Sequence, residues 1–454
     1  MKGIINRNGG VIVAGLLLIL LNAGVAGEEK TDNGEQRQNN KKRDEERKNL
    51  EKEVEEALKK GVKWLIPRQR KEGAFDGAYE KQNPMGMTAL CIYALLSADA
   101  EGIEEAVEKG FRYLGSLPLK SSYCTSLLLL AVEAKFRKEA MKRNPTDWEN
   151  EEKKVFGTSE KPYKNIVTNC VLWLRNGQRA DGMWSYDFSR GRGDGSNTQF
   201  VLLALDAARR LGVDIPVRMF EKAIEGILAT QQKTGRVLKK EEWFNVPAAD
   251  YSILELKERA SKKRGENLKE EEEDVELGRK DEMKVRGMGY MAGQAVTYSM
   301  TAAGLAGLVV CKSALEEANC YGKYKRVDVA IRDAAAYLAV EYPYKEIVKQ
   351  MPRGRGTRSV LCDVWDFYRL YSLERAGAMA VVERFGENDW YSDGAKLLLK
   401  EQMEDGSWCR CTVCTSFAIL FLSRSTVAPV KKEDMNRGKE IPLPAPLKEK
   451  QKCG

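Results

Sequence analysis

The chain has 454 residues, 43% of them hydrophobic and eight of them tryptophan, which is ample for a large core and excludes a disordered protein. Lys and Arg outnumber Asp and Glu by 75 to 67, but the surplus is scattered and never gathers into a basic stripe with interleaved aromatics, so no nucleic acid partner is expected. Histidine is absent, which excludes Ser-His-Asp and Cys-His catalysis and leaves carboxylates, thiols, tyrosines, amines or a bound cofactor for any chemistry.

Residues 1–27 read as an export signal: Lys2 and Arg7 open it, Val11 to Leu21 are apolar, and small residues from Ala23 to Gly27 resemble a cleavage site. The apolar run is shorter than the roughly 20 residues of a spanning helix, and the alternative is an uncleaved segment that keeps the protein on a membrane. The expected location is exported, periplasmic or extracellular. Residues 28–49 are nearly all charged or amide-bearing and predict a disordered tether; 429–454, with four prolines among lysines, predict a disordered tail.

Between them, 50–428 repeat. Four segments place a Gln four positions before a Gly, with an apolar or aromatic residue two beyond: Gln69, Gly73, Phe75; Gln178, Gly182, Trp184; Gln231, Gly235, Val237; Gln402, Gly406, Trp408. Each follows an amphipathic stretch, such as Val54, Leu58, Val62, Leu65, and Gly is the residue that ends helices in the left-handed conformation. A second stretch then follows that is apolar on all sides, as in Gly86 to Ser97, Gly195 to Ala208 and Thr412 to Leu422, the mark of a buried helix. Ile103–Leu117 with Ser122–Ala134, Val217–Thr230 with Gly293–Ala314, and Val327–Val340 with Asp363–Ala380 complete six hairpins. A closed ring buries their apolar faces without end caps, so the expected fold is all-α, an (α/α)6 toroid, with a charged insertion at about 239–284.

At these residues the sequence resembles the prenyltransferase and squalene-oxidase repeat family, and its Gln-x-x-x-Gly-x-Trp elements resemble the QW motifs of squalene cyclases. Within that group it is similar to exported bacterial repeat proteins of unassigned function, through GDGSNTQFVLLALDAARR from Gly193, YSMTAAGLAGLVVC from Tyr298 and YRLYSLERAGAM from Tyr368. The resemblance implies that Gln178, Trp184, Gln402 and Trp408 serve stability. It brings no catalytic signature: the Asp-x-Asp-Asp acid of terpene cyclases, the zinc-binding His of protein prenyltransferases and the Gly-Cys-Gly-Glu-Gln of thioester proteins are all missing.

In such rings the starts of the inner helices face a central cavity, where helix N-termini favour anions and polar groups. Asp363 and Asp366 stand one turn apart at the start of the fifth inner helix, with Trp365, Tyr368 and Tyr371 around them, and are the candidate catalytic pair; the alternative is that Asp363 caps the helix and Asp366 pairs with Arg369 or Arg375. Trp184, Tyr186, Asp187 and Asp194, in the Gly-rich loop before the third inner helix, are further candidates for ligand binding. Cys362, Cys409, Cys411 and Cys414 precede or open the last two inner helices. They suit zinc, a disulfide or a redox-active Cys411–Cys414 pair, or remain unlinked thiols. No cofactor is expected, with zinc the open possibility. The expected function is a ligand- or partner-binding module, holding an apolar lipid, a glycan or a protein; the alternative is an enzyme that uses the carboxylates on an isoprenoid or glycan.

Overall fold

The computed structural model describes residues 33–77, 83–187, 191–249, 282–320, 322, 326–344, 361 and 364–427. Contacts divide the chain into units Met1–Asn49 and Leu50–Gly454. The export signal, the C-terminal tail, most of the insertion, and Cys362 and Asp363 lie outside the described residues.

The first unit is helical from Asn33, within helix α1 (Asn33–Leu65), where the sequence predicted a disordered tether. Glu, Gln, Lys and Arg are strong helix formers, and neither Gly nor Pro interrupts 35–49, so helix needs no apolar stripe there. From Leu50 the stripe begins, and Val54, Ala57, Val62 and Leu65 are buried.

In the second unit each amphipathic helix alternates with an apolar one. The inner helices are α2 (Pro84–Ser97), α4 (Ser122–Arg143), α7 (Gly195–Arg210), α9 (Tyr298–Glu317), α11 (Val364–Ala380) and α13 (Thr412–Leu422). Each packs on the next in that order, and α13 packs on α2, so the ring is closed. Outside it lie the end of α1, α3 (Glu104–Gly115), α6 (Lys161–Asn176), α8 (Val217–Leu228), α10 (Arg326–Val340) and α12 (Trp390–Glu401). The fold is thus the expected six-hairpin toroid. One helix was not foreseen: α5 (Trp148–Gly157), which packs on the C-terminal half of α4 and whose few apolar positions, Val155 and Phe156 among them, carry a weak period.

The glutamine elements are clasps between repeats. Gln402 Nε2 donates both protons to carbonyls, one on its own turn at Gly406 (2.9 Å) and one on α1 at Ala57 (2.9 Å). Gln178 does the same with Gly182 and Met219 of α8 (both 2.8 Å), and Gln69 with Gly73 (3.1 Å) and Ala106 of α3 (2.8 Å). The turn glycine sits at positive φ (+106°, +81° and +90° at Gly73, Gly182 and Gly406), and a Cβ there would run into a backbone carbonyl of the following outer helix. Two residues on, the backbone N–H of Phe75, Trp184 or Trp408 donates to an inner-helix threonine, Thr88, Thr198 or Thr415. Trp184 and Trp408 are fully buried, and each indole N–H donates to the carbonyl of the preceding outer helix, Leu174 (2.7 Å) and Leu398 (2.8 Å).

The third clasp differs from the sequence expectation. Gln231 donates to Ala330 of α10 (3.0 Å) and to Arg286 (3.4 Å), not to Gly235, and it is Met288 N that donates to the threonine, Thr301 (2.9 Å). The insertion splits the turn itself. Its stem is a two-stranded ribbon, β1 (Arg236–Val237) against β2 (Lys284–Val285), and Val237 is half exposed. A second ribbon, β3 (Met288–Gly289) with β4 (Val296–Thr297), leads into α9.

Gln402 closes the ring, and its loss acts at the seam. Gln402→Ala leaves two carbonyls without their donor and is expected to cost about 1–3 kcal/mol. Trp408→Ala is expected to cost about 3–5 kcal/mol, and Gly406→Ala to be destabilising through both its φ and the clash. Denaturant unfolding of the three variants checks this; an unchanged midpoint for Gly406→Ala would rule out the close approach.

A buried carboxyl pair sets a pH dependence. Glu152 on α5 lies against Glu133 on α4, which takes Arg210 Nη2 at 3.1 Å and Arg137 Nε at 3.4 Å. Burial, with the Glu133 carboxylate next, pushes Glu152 up to about 9. Against burial, Arg137 and Arg210 hold Glu133 below its ordinary value. A raised carboxyl favours the folded state while protonated, so that contribution is lost as pH rises from the ordinary Glu range towards 9. The melting temperature of Glu152→Gln is expected to fall less than that of the unmodified protein between about pH 5 and pH 9; parallel curves would refute the raised Glu152 carboxyl.

Candidate functional site

The inner helices open on one face of the ring, where, among the described residues, three of the connecting loops lean on a neighbouring helix start. Tyr186 O accepts Ser122 N, Tyr290 O accepts Gly195 N, and Asp76 O accepts Thr412 Oγ1. Ser121, Asp194 and Thr297 cap α4, α7 and α9 by accepting a backbone N–H, as their sequence positions require. This face is the mouth of the ring.

Most of the predicted ligand-binding residues lie at or just below it. Trp365 is 66% and Tyr186 51% exposed, among the few large apolar side chains left outside. Tyr368 is buried beneath Trp365, ring centroids 6.4 Å apart, and its hydroxyl donates to Gln199 Oε1 at 3.1 Å. Asp187 is exposed and its carbonyl accepts Ser185 Oγ at 3.0 Å. Asp194 is buried, accepting from Ser196 Oγ (2.8 Å), Asn197 N (2.9 Å) and Asn197 Nδ2 (2.9 Å). Asp366 takes Arg369 Nη2 at 2.7 Å, the pairing weighed against a catalytic role. Trp184 and Tyr371 are core residues: Trp184 fills the repeat interface, and Tyr371 sits deep on the axis.

Three mouth residues were not singled out from the sequence. Tyr290 is hydrogen-bonded to Ser196 and Tyr186. Asn197 and Gln199 are almost fully buried, yet Asn197 Oδ1 and Gln199 Nε2 have no partner among the described residues. The polar run Ser196–Gln199 in an otherwise apolar helix is the signal that marks the latter two. Tyr290 follows the insertion and had no register to place it.

Below the mouth the axis is filled. Tyr123 packs edge-on to Phe200 at 4.4 Å, and Tyr371 and Phe417 lie 5.5 Å apart. Among them the buried Arg375 guanidinium sits 4.0 Å from the Tyr371 ring centroid and 4.5 Å from that of Phe200, a cation–π seat. Further down, a cavity of about 10 Å³ between Tyr93, Glu133, Arg210, Tyr371 and Ser425 has room for about one water. A recess of about 290 Å³ lies at the far end of α11, lined by Phe244, Pro247, Val382 and Arg384.

Of the four predicted metal-binding thiols, three meet at the mouth, with Cys414 hydrogen-bonded to both Cys409 and Cys411. Cys409 also donates to Leu361 O at 3.4 Å. The hydrogen bond from Cys414, then the N–H groups of Cys414 and Val413, hold the Cys411 thiol down at about 6 against the effect of burial. All three are free thiols, and among the described residues no three His, Cys, Asp or Glu side chains are placed to hold a metal ion. Cys320, for which the sequence suggested no role, is disulfide-bonded.

No protein-family model and no curated protein matches the sequence. Among solved structures, an inactive variant of an alpha-1,6-mannanase of Salegentibacter sp. HEL1_6, in complex with alpha-1,6-mannotriose, is similar with a TM-score of 0.46 and 7% identity, over 82% of this chain and 98% of that one. A family 76 glycoside hydrolase from a bovine Bacteroides thetaiotaomicron strain is similar with a TM-score of 0.44 and 11% identity, over 82% and 76% of the two chains. At these scores the likeness does not reach activity or residue roles. What holds of the expected family is the α/α toroid, and nothing places the chain among the prenyltransferases or squalene cyclases.

Proposed function

We propose that this is an exported glycan-binding protein whose ligand lies across the mouth of the ring. One observation carries the reading: exposed Trp365 stands over Tyr368, whose hydroxyl is bonded to Gln199, and the Gln199 amide retains an unpartnered buried donor. Aromatic faces with hydrogen-bonding groups beside them suit sugar rings, which are apolar on one face and hydroxylated at the rim. A buried donor left unpaired costs about 1–3 kcal/mol, which a ligand hydroxyl would recover.

The filled axis weighs against an isoprenoid or other lipid, which needs a dry cavity of several hundred Å³. The disulfide at Cys320 supports export, since such bonds persist in oxidising compartments. Cleavage of the bound glycan is the second reading, favoured by the place of Asp366 at the mouth, with Asp363 one turn before it in sequence. The ion pair of Asp366 with Arg369 weighs towards binding without turnover.

Calorimetric titration of the purified protein with panels of neutral and acidic oligosaccharides tests the proposal. One class is expected to bind, and Trp365→Ala and Tyr186→Ala, both at exposed positions, each to weaken it about tenfold, roughly 1.4 kcal/mol. Equal affinity in both variants, or binding of lipid in place of sugar, would overturn it. Release of reducing ends that stops in Asp366→Asn would establish the second reading.

A further inference from the structure

The CRCTVC segment, Cys409 to Cys414, has no part in glycan binding as proposed, although it joins three free thiols at the mouth. Cys411 is the N-cap of α13 and places sulfur where Ser, Thr or Asp sits on other inner helices, at the end of the helix where the backbone N–H groups of its first turn lie, although its side chain makes no cap hydrogen bond. A helix N-terminus stabilises negative charge, and thiolate is the nucleophilic form of cysteine. Cys414 lies one helical turn on, which sets the two Cα atoms about 5 to 6 Å apart, within the span of a disulfide. It is buried where Cys411 is partly exposed, and its Sγ already contacts that of Cys411. Cys409 and Arg410 both take positive φ (55° and 49°), a tight turn that brings the exposed Cys409 back beside the pair.

We propose that Cys411 and Cys414 are a dithiol that exchanges with small external disulfides, Cys411 attacking and Cys414 resolving. Cys411 Sγ displaces one thiolate from RSSR and forms a mixed disulfide, Cys411–S–S–R. The displaced RS⁻ takes a proton from water. Cys414 then gives its proton to solvent and attacks Cys411 Sγ, which releases the second RS⁻. Two protein thiols are oxidised to one disulfide and RSSR is reduced to two thiols, so no other oxidant is needed.

The full chain, reduced with a reagent mild enough to spare Cys320, is exposed to oxidised glutathione, blocked with N-ethylmaleimide and mapped by peptide mass spectrometry. The unmodified protein is expected to lose two thiols, gain a Cys411–Cys414 bond and keep no glutathione; Cys409→Ser is expected to behave the same. Cys414→Ser is expected to stop with glutathione on Cys411. A bond from Cys409 to either partner, glutathione left on Cys409 or Cys411 of the unmodified protein, or no thiol lost would each overturn the assignment. Because Cys414 is buried, the first two proteins decide the matter even if Cys414→Ser fails to fold.

Discussion

A side-chain amide that donates both its protons, one to its own turn and one to the next outer helix, is the joint on which the ring depends. Gln is the side chain that fits there, because Glu would present acceptors to two carbonyls and Asn is one methylene shorter. Each bond is worth about 1 kcal/mol net, but the pair also fixes the angle between successive hairpins. The glycine beside it then lets two backbones approach where no side chain fits, and the indole of Trp184 or Trp408 fills the remaining gap. Through the inner-helix threonine the same turn is tied to the start of the inner helix, so the clasp that orders the outside of the ring also sets the height of the mouth.

The inside of the ring is the consequence. Six apolar helices meeting on an axis leave a space that aromatic side chains occupy, and three ring faces, with Ser372 Oγ at 3.2 Å, hold the charge of Arg375 there. Among the described residues the axis is filled, and it is at the rim that capping groups, tyrosines and thiols from different repeats come within reach of one another.

Repetition made the fold legible, and local chemistry less so. Gln69, Gln178 and Gln402 carry intact motifs, and each forms the clasp its spacing predicts. At Gln231 a Gly and a Val stand at matching positions by coincidence, while the functional partners, Arg286 and Met288, come some 50 residues later, beyond the insertion. Spacing alone has no means of telling a turn from its imitation. The candidate site shows the same division: Tyr186 was marked by its place in the loop before an inner helix and Trp365 by its place beside Asp366 at the start of one, whereas Trp184, in the same loop as Tyr186, belongs to the core because the motif that contains it outranks its neighbours. Gln199 is marked by the polar run that contains it, whereas Tyr290 owes its place to contacts between repeats, which a linear pattern does not encode.

The bond from Gln402 to Ala57 joins groups 345 positions apart, so the seam is made only when nearly the whole toroid has been synthesised. Until α13 arrives, α2 has a bare apolar flank, and every shorter intermediate is an open arc with two sticky ends. Two such arcs are complementary to each other as well as to themselves. Intramolecular closure therefore competes with head-to-tail joining of separate chains, and the outcome depends on how many unfinished arcs share a compartment.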